Sequence, residues 1–162
     1  MKKICILMIL MVGCNTKSCN MDNLAGTLGT FQPWGFAASE DQMNKAIANL
    51  YAQNPKYVIP EKWKYLDNWE ESGYGFLQGK IFYFGQIPEE MYYVSYSSDH
   101  IDDMKVMAIS VRAVTDGNDS MRWFKNDEIQ ESEQKRINNR FYEEIIKKLE
   151  KLLGVPAQKF NP

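Results

Sequence analysis

YGFLQGKIFYF (Tyr74–Phe84), MYYVSY (Met91–Tyr96) and MKVMAISVRAV (Met104–Val114) are three closely spaced runs rich in aromatic and β-branched residues. Such residues fit the pleated, half-buried surface of a sheet, and the runs read as strands. Gly85 and Pro88 end the first, and Asp116-Gly117-Asn118-Asp119 closes the third with turn-forming residues. Connections this short join antiparallel neighbours, which makes the three a meander. Met121 to Phe124 adds a short candidate fourth strand.

The runs are apolar at odd and even positions alike. Phe76, Phe82 and Phe84 alternate with Leu77, Ile81 and Tyr83; Tyr92, Val94 and Tyr96 alternate with Met91 and Tyr93; Met104, Val106 and Ala108 alternate with Met107, Ile109 and Val111. A meander with one wet face would alternate apolar with polar. Three coverings satisfy the pattern: a helix on each face, the aromatic segment around Trp63 and Trp69 on one face, or a partner.

Helices flank the strands. Ser39 is an N-cap with Gln42 three residues on, a capping-box spacing. Met43, Ala46, Ile47, Leu50 and Tyr51 then recur at helical intervals until Pro55. From Lys56 to Gly73, two prolines and the pair Trp63 and Trp69 break any period; an irregular aromatic segment is expected, with one helical turn after Pro60. The last element is a long helix from about Asp127 to Leu153, with Ile137, Phe141, Tyr142, Ile145, Ile146, Leu149, Leu152 and Leu153 on its apolar stripe. Acidic residues crowd its start and Lys147, Lys148 and Lys151 its end, as the helix dipole favours. Gly154 and Pro156 terminate it. Four-and-three spacing persists for only two heptads, too few for a coiled coil, so the helix packs on the sheet. The expected fold is α+β: an antiparallel three- or four-stranded meander flanked by an N-terminal helix and a long C-terminal helix.

The N-terminus is of another kind. Lys2 and Lys3 precede nine mostly apolar residues from Ile4 to Val12, followed by Gly13 and Cys14. This is the layout of an export signal. Nine helical residues reach about 14 Å, short of a hydrocarbon core of about 30 Å. Met11-Val12-Gly13-Cys14 resembles the lipobox of bacterial lipoproteins, with methionine where that family usually has leucine. The resemblance implies cleavage before Cys14 and acyl chains on Cys14. Asn15 stands where an aspartate would favour inner-membrane retention, and no acidic run follows, so the resemblance implies the outer membrane, facing the periplasm.

Residues 1–13 are thus expected to be a signal peptide, 14–33 a lipidated tether and 34–162 one α+β domain. Asn15 to Pro33 is rich in Asn, Thr, Gly and Ser. Fully extended, it would reach on the order of 60 Å. Loss of Lys2 and Lys3 from 19 basic residues leaves 17 against 21 acidic ones. That balance speaks against nucleic acid and offers no polybasic support for membrane binding. Cys5 leaves with the signal and Cys14 carries lipid, so Cys19 is a lone thiol and no disulfide framework exists.

Groups for catalysis are sparse. His100, the single histidine, is placed in the polar turn Ser97–Asp103 beside Asp99, Asp102 and Asp103, too few fixed ligands for a tight metal site. Asp116-Gly117-Asn118-Asp119-Ser120 lacks the ligand series of an EF-hand and reads as a turn. Glu89 and Glu90 are neighbours that would point to opposite faces in a strand, so they make no ready acid–base pair, and their place after Pro88 suits a turn. Gly26, Gly29 and Gly35 have the wrong spacing for a phosphate loop. No catalytic, cofactor or metal residue is expected. The function expected is that of a non-catalytic, lipid-anchored envelope protein that binds another protein as an accessory part of an assembly or secretion apparatus. The alternatives are a small-ligand or glycan-binding lipoprotein, with Trp63, Trp69 or Tyr96 as stacking platforms, and an inhibitor or immunity-type periplasmic protein.

Overall fold

The computed structural model describes residues 31–69, 71, 78–101, 104–115 and 122–159. Cys14, the other cysteines, Gly26, Gly29, Asp102, Asp103 and the turn 116–120 lie outside them. The elements run β1 (Trp34–Phe36), α1 (Glu40–Gln53), 3₁₀ turns at Pro55–Tyr57 and Glu61–Leu66, β2 (Gly79–Phe84), β3 (Glu90–Ile101), β4 (Met104–Thr115) and β5 (Trp123–Phe124). A 3₁₀ turn at Asn126–Glu128 leads into α2 (Glu131–Phe141), a π-helical turn (Tyr142–Ile146), α3 (Lys147–Leu153) and β6 (Gln158–Lys159). The fold is α+β, as the sequence predicts.

The sheet has six strands in the order β2-β3-β4-β1-β6, with β5 paired to β4. Every pairing is antiparallel. The meander β2-β3-β4 is its centre, and the expectation of three or four strands falls short by β1 and β6. These carry three and two residues, too few to show a period. β1 lies between β4 and β6 and draws the start of the domain earlier than residue 34. Phe31 is 1% exposed, and its carbonyl accepts from the Ser110 hydroxyl at 2.8 Å. The residues from Phe31 to Pro33, assigned above to the tether, belong to the packed domain.

Three more boundaries move. β2 starts at Gly79, with Gln78 before it outside the strand, while residues 74–77 of the expected first strand, like Met121 of the expected fourth, lie outside the described residues. β3 does not turn at Ser97 but pairs with β4 as far as Ile101↔Met104. His100 therefore sits in a strand, opposite Lys105, not in a loop. The C-terminal helix starts at Glu131 instead of Asp127, because Asp127 lies in the preceding 3₁₀ turn, where the Glu128 carboxylate accepts from the Lys125 backbone N–H at 2.8 Å.

Both helices pack on one face of the sheet. Met43, Ala46, Ile47 and Leu50 of α1 and Ile137, Phe141, Ile145, Ile146 and Leu149 of the C-terminal helix meet Phe82, Phe84, Tyr92, Val94, Tyr96, Met107, Ile109, Val111 and Val114. Val111 and Val114 are three residues apart yet share this face. A bulge makes that possible: β3 runs Tyr93, Val94 against Ala113 and Val111, leaving Arg112 as the extra residue. The capping box of α1 forms as expected, with the Gln42 N–H donating to Ser39 Oγ at 3.3 Å and the Ser39 N–H to Gln42 Oε1 at 2.8 Å.

The second face is covered in its β2–β3 region by the aromatic segment, one of the three coverings the sequence left open. Ile81, Met91 and Tyr93 pack against Ile59, Trp63, Leu66, Trp69 and Trp123. The Trp69 ring stacks on Tyr93 at 3.9 Å with 6° between planes. Among the described residues no helix is long and apolar enough to cross a membrane.

Candidate functional site

The two adjacent glutamates open the functional geometry. The sequence reading sets both in a turn after Pro88; in the structure Glu90 is the first residue of β3 and Glu89 precedes the strand, and the two face opposite sides. Glu90 turns to the helix side and is 2% exposed. Its carboxylate accepts from Arg136 and Arg140, and from the Tyr92 hydroxyl at 3.3 Å. Arg136 also binds Glu133, and Arg140 donates to Gln86 Oε1 at 3.0 Å while lying over the Phe84 ring at 4.4 Å. A buried carboxylate answered by two guanidinium groups is a brace: its charge is neutralised and its lone pairs are used.

Glu89 turns to the other side. It accepts from Lys62 Nζ at 2.9 Å, Trp63 Nε1 at 2.9 Å and the Tyr83 hydroxyl at 2.5 Å. These bonds, the Lys62 bond foremost, hold its carboxyl down to about 2. Desolvation and the Glu89 bond push the Tyr83 phenol up to about 12.

Between these braces runs the β2–β3 hairpin, Gly85-Gln86-Ile87-Pro88. Gln86 is held by Arg140, and Glu89 and Glu90 are held as described. Ile87 at the tip is 100% exposed. An apolar side chain thus stands in solvent on a loop fixed at both flanks.

A second feature lies at the other end of the strand order. Gln32, Trp34, Lys135, Asn138, Asn139, Tyr142 and Lys159 line an open cleft of about 410 Å³. Lys135, Asn138, Asn139 and Tyr142 follow i, i+3, i+4, i+7 spacing, one stripe of the C-terminal helix. Trp34 stacks on Tyr142 with ring centroids 4.7 Å apart. The Trp34 Nε1 is buried with no hydrogen-bond partner. The sequence reading missed this site: it placed Tyr142 on the apolar stripe and did not weigh the polar stripe at helical spacing beside it, which was there to be read.

The residues singled out from sequence fare as follows. Among the described residues, no group of three or more His, Cys, Asp or Glu is placed to hold a metal ion. His100 is exposed, and its backbone N–H donates to the Asp99 carboxylate at 2.6 Å. The three proposed stacking platforms are structural. Tyr96 is 5% exposed and donates to Asn44 Oδ1 at 2.8 Å, Trp69 is taken by Tyr93, and Trp63 is packed against the second core with its indole on Glu89. Gly35 is a strand residue of β1 opposite Ala108. Comparison with protein-family models, with curated proteins and with solved structures finds no match to this chain.

Proposed function

We propose that this chain is a lipid-anchored protein of the bacterial cell envelope, held through acyl chains on Cys14 and most consistent with the periplasmic face of the outer membrane. Its domain works without catalysis, by binding another protein as an accessory component of an envelope assembly or secretion apparatus. The anchor rests on Lys2-Lys3, the apolar run Ile4–Val12 and Met11-Val12-Gly13-Cys14. The binding role is carried by one observation: Ile87 is fully exposed on a hairpin whose flanks are pinned by Arg140 and by the partners of Glu89 and Glu90. Single exposed apolar residues are common. Here the loop is fixed before docking, so little conformational freedom remains to be lost when a partner covers it.

Two experiments test the reading. Cys14→Ser is expected to abolish radiolabelled palmitate incorporation and shift the protein from the membrane to the soluble fraction; retained label overturns the anchor. A photo-crosslinking residue at position 87 in intact cells is expected to give one adduct of defined mass, competed away by excess unmodified protein and not by Ile87→Asp. Failure to form any adduct overturns the protein-binding role.

The second reading, a small-ligand or glycan-binding lipoprotein, is favoured by the cleft beside Trp34. Its platform then moves from Trp63, Trp69 and Tyr96 to Trp34 and Tyr142.

A further inference from the structure

The cleft between β1, β6 and the C-terminal helix is lined by donors with few acceptors to serve. Asn139 is exposed and makes no side-chain hydrogen bond among the described residues. Asn138 uses its Oδ1 to accept from the Gln32 N–H at 3.2 Å, which leaves its amide NH₂ for a ligand. The Gln32 amide NH₂ is spent on the Pro33 carbonyl at 3.0 Å. Lys159 is exposed and has no ion pair among the described residues. Lys135 is paired with Glu131 at 2.7 Å, but both are largely in solvent, where such a pair is weak and readily exchanged. The Trp34 indole N–H is itself buried and out of a ligand's reach, so what Trp34 offers the cleft is its ring.

The chemistry these groups ask for is specific. Amide donors beside an aromatic pair suit a ring rich in hydroxyl and carbonyl acceptors. Two lysines at the rim, against no carboxylate in the lining, suit one negative charge. A volume of about 410 Å³ is within the range of small-ligand sites and accommodates one or two sugar rings. We infer that this cleft binds an acidic sugar, with its carboxylate towards Lys159 and Lys135, its acceptors on the Asn138 and Asn139 amides, and its ring against the Trp34–Tyr142 pair. The inference rests on the second reading above and is independent of the Ile87 hairpin.

The test uses the full-length chain in detergent micelles, labelled with ¹⁵N, with the Trp34 indole signal assigned by its loss in Trp34→Phe. N-acetylmuramate and N-acetylglucosamine are titrated separately; they share a ring and differ by a carboxylate-bearing substituent. The acid is expected to shift the Trp34 indole and Asn139 side-chain signals saturably, and to bind at least about tenfold more tightly than the neutral sugar. Lys159→Gln is expected to remove most of that difference, and Asn139→Ala to weaken the acid, with signals outside the cleft unchanged in both. Equal response to the two sugars overturns the carboxylate assignment. No shift with either overturns the site, and leaves the hairpin reading as it was.

Discussion

Glu90 carries the sharpest energetic consequence of any side chain here. Replacing it with alanine strands Arg140, whose side chain is 13% exposed, and leaves the Tyr92 hydroxyl without its acceptor. Breaking one partner out of a buried charge cluster costs about 3–5 kcal/mol. Glu90→Ala is expected to lower stability by that amount in urea unfolding, whereas Ser98→Ala, on the exposed part of β3, stays within about 0.5 kcal/mol. Glu89 gives a pH signature instead. Its carboxyl is at about 2 in the fold against 4.5 without these partners, and Glu144 is likewise held to about 2, first by the Tyr57 hydroxyl and then by Lys148. A carboxyl depressed on folding contributes stability that is full above the higher value and is lost as pH falls to the lower. Unfolding measured between pH 4.5 and 2 is therefore expected to show falling stability, with a shallower fall in Glu89→Gln and the Glu144 share remaining. That the two glutamates would diverge in a strand was legible, but their place after Pro88 pointed to a turn, and only pairing with β2 makes Glu90 the first residue of β3. Their partners were not legible, because Arg136 and Arg140 lie far along the chain and only the packed helix brings them near.

Elements with a long period were legible and short ones were not. α1 appears with its Ser39–Gln42 box, while β1 and β6 owe their existence to neighbours and carry no pattern of their own. The π-helical turn at Tyr142–Ile146 escaped because its residues are ordinary helix formers. The continuation of β3 past Ser97 escaped because Ser97, Ser98, Asp99 and His100 are turn-type residues, overridden by pairing with β4. Two glycines test the elements directly. A Cβ on Gly79 would collide with the Tyr93 ring, which cannot swing aside because Trp69 is stacked on it. Gly79→Ala is expected to cost about 1–3 kcal/mol and to quench or shift the tryptophan emission. Gly154 ends α3 at φ +71° with open space around it, so Gly154→Ala costs only the left-handed backbone, about 1 kcal/mol, read as a lower unfolding midpoint with unchanged spectra.

At the scale of the whole molecule, fold class followed from composition and period, and the doubly apolar strands correctly demanded cover on both faces. Which covering applied was not decidable from the sequence, since a packed tryptophan and a docking tryptophan look alike until their neighbours are placed. The strand order sets β6 and the β2–β3 hairpin at opposite edges, so the cleft and Ile87 do not compete for one surface. A double variant, Ile87→Asp with Lys159→Gln, is accordingly expected to show the two single losses side by side, with no coupling beyond about 0.5 kcal/mol in a double-mutant cycle. β1 has one further consequence. It is clasped by β4 on one flank and β6 on the other. A pull on β1 from its N-terminal side cannot peel a free margin of the sheet; it must rupture bonds on both flanks together, an arrangement that would serve the lipid anchor proposed above.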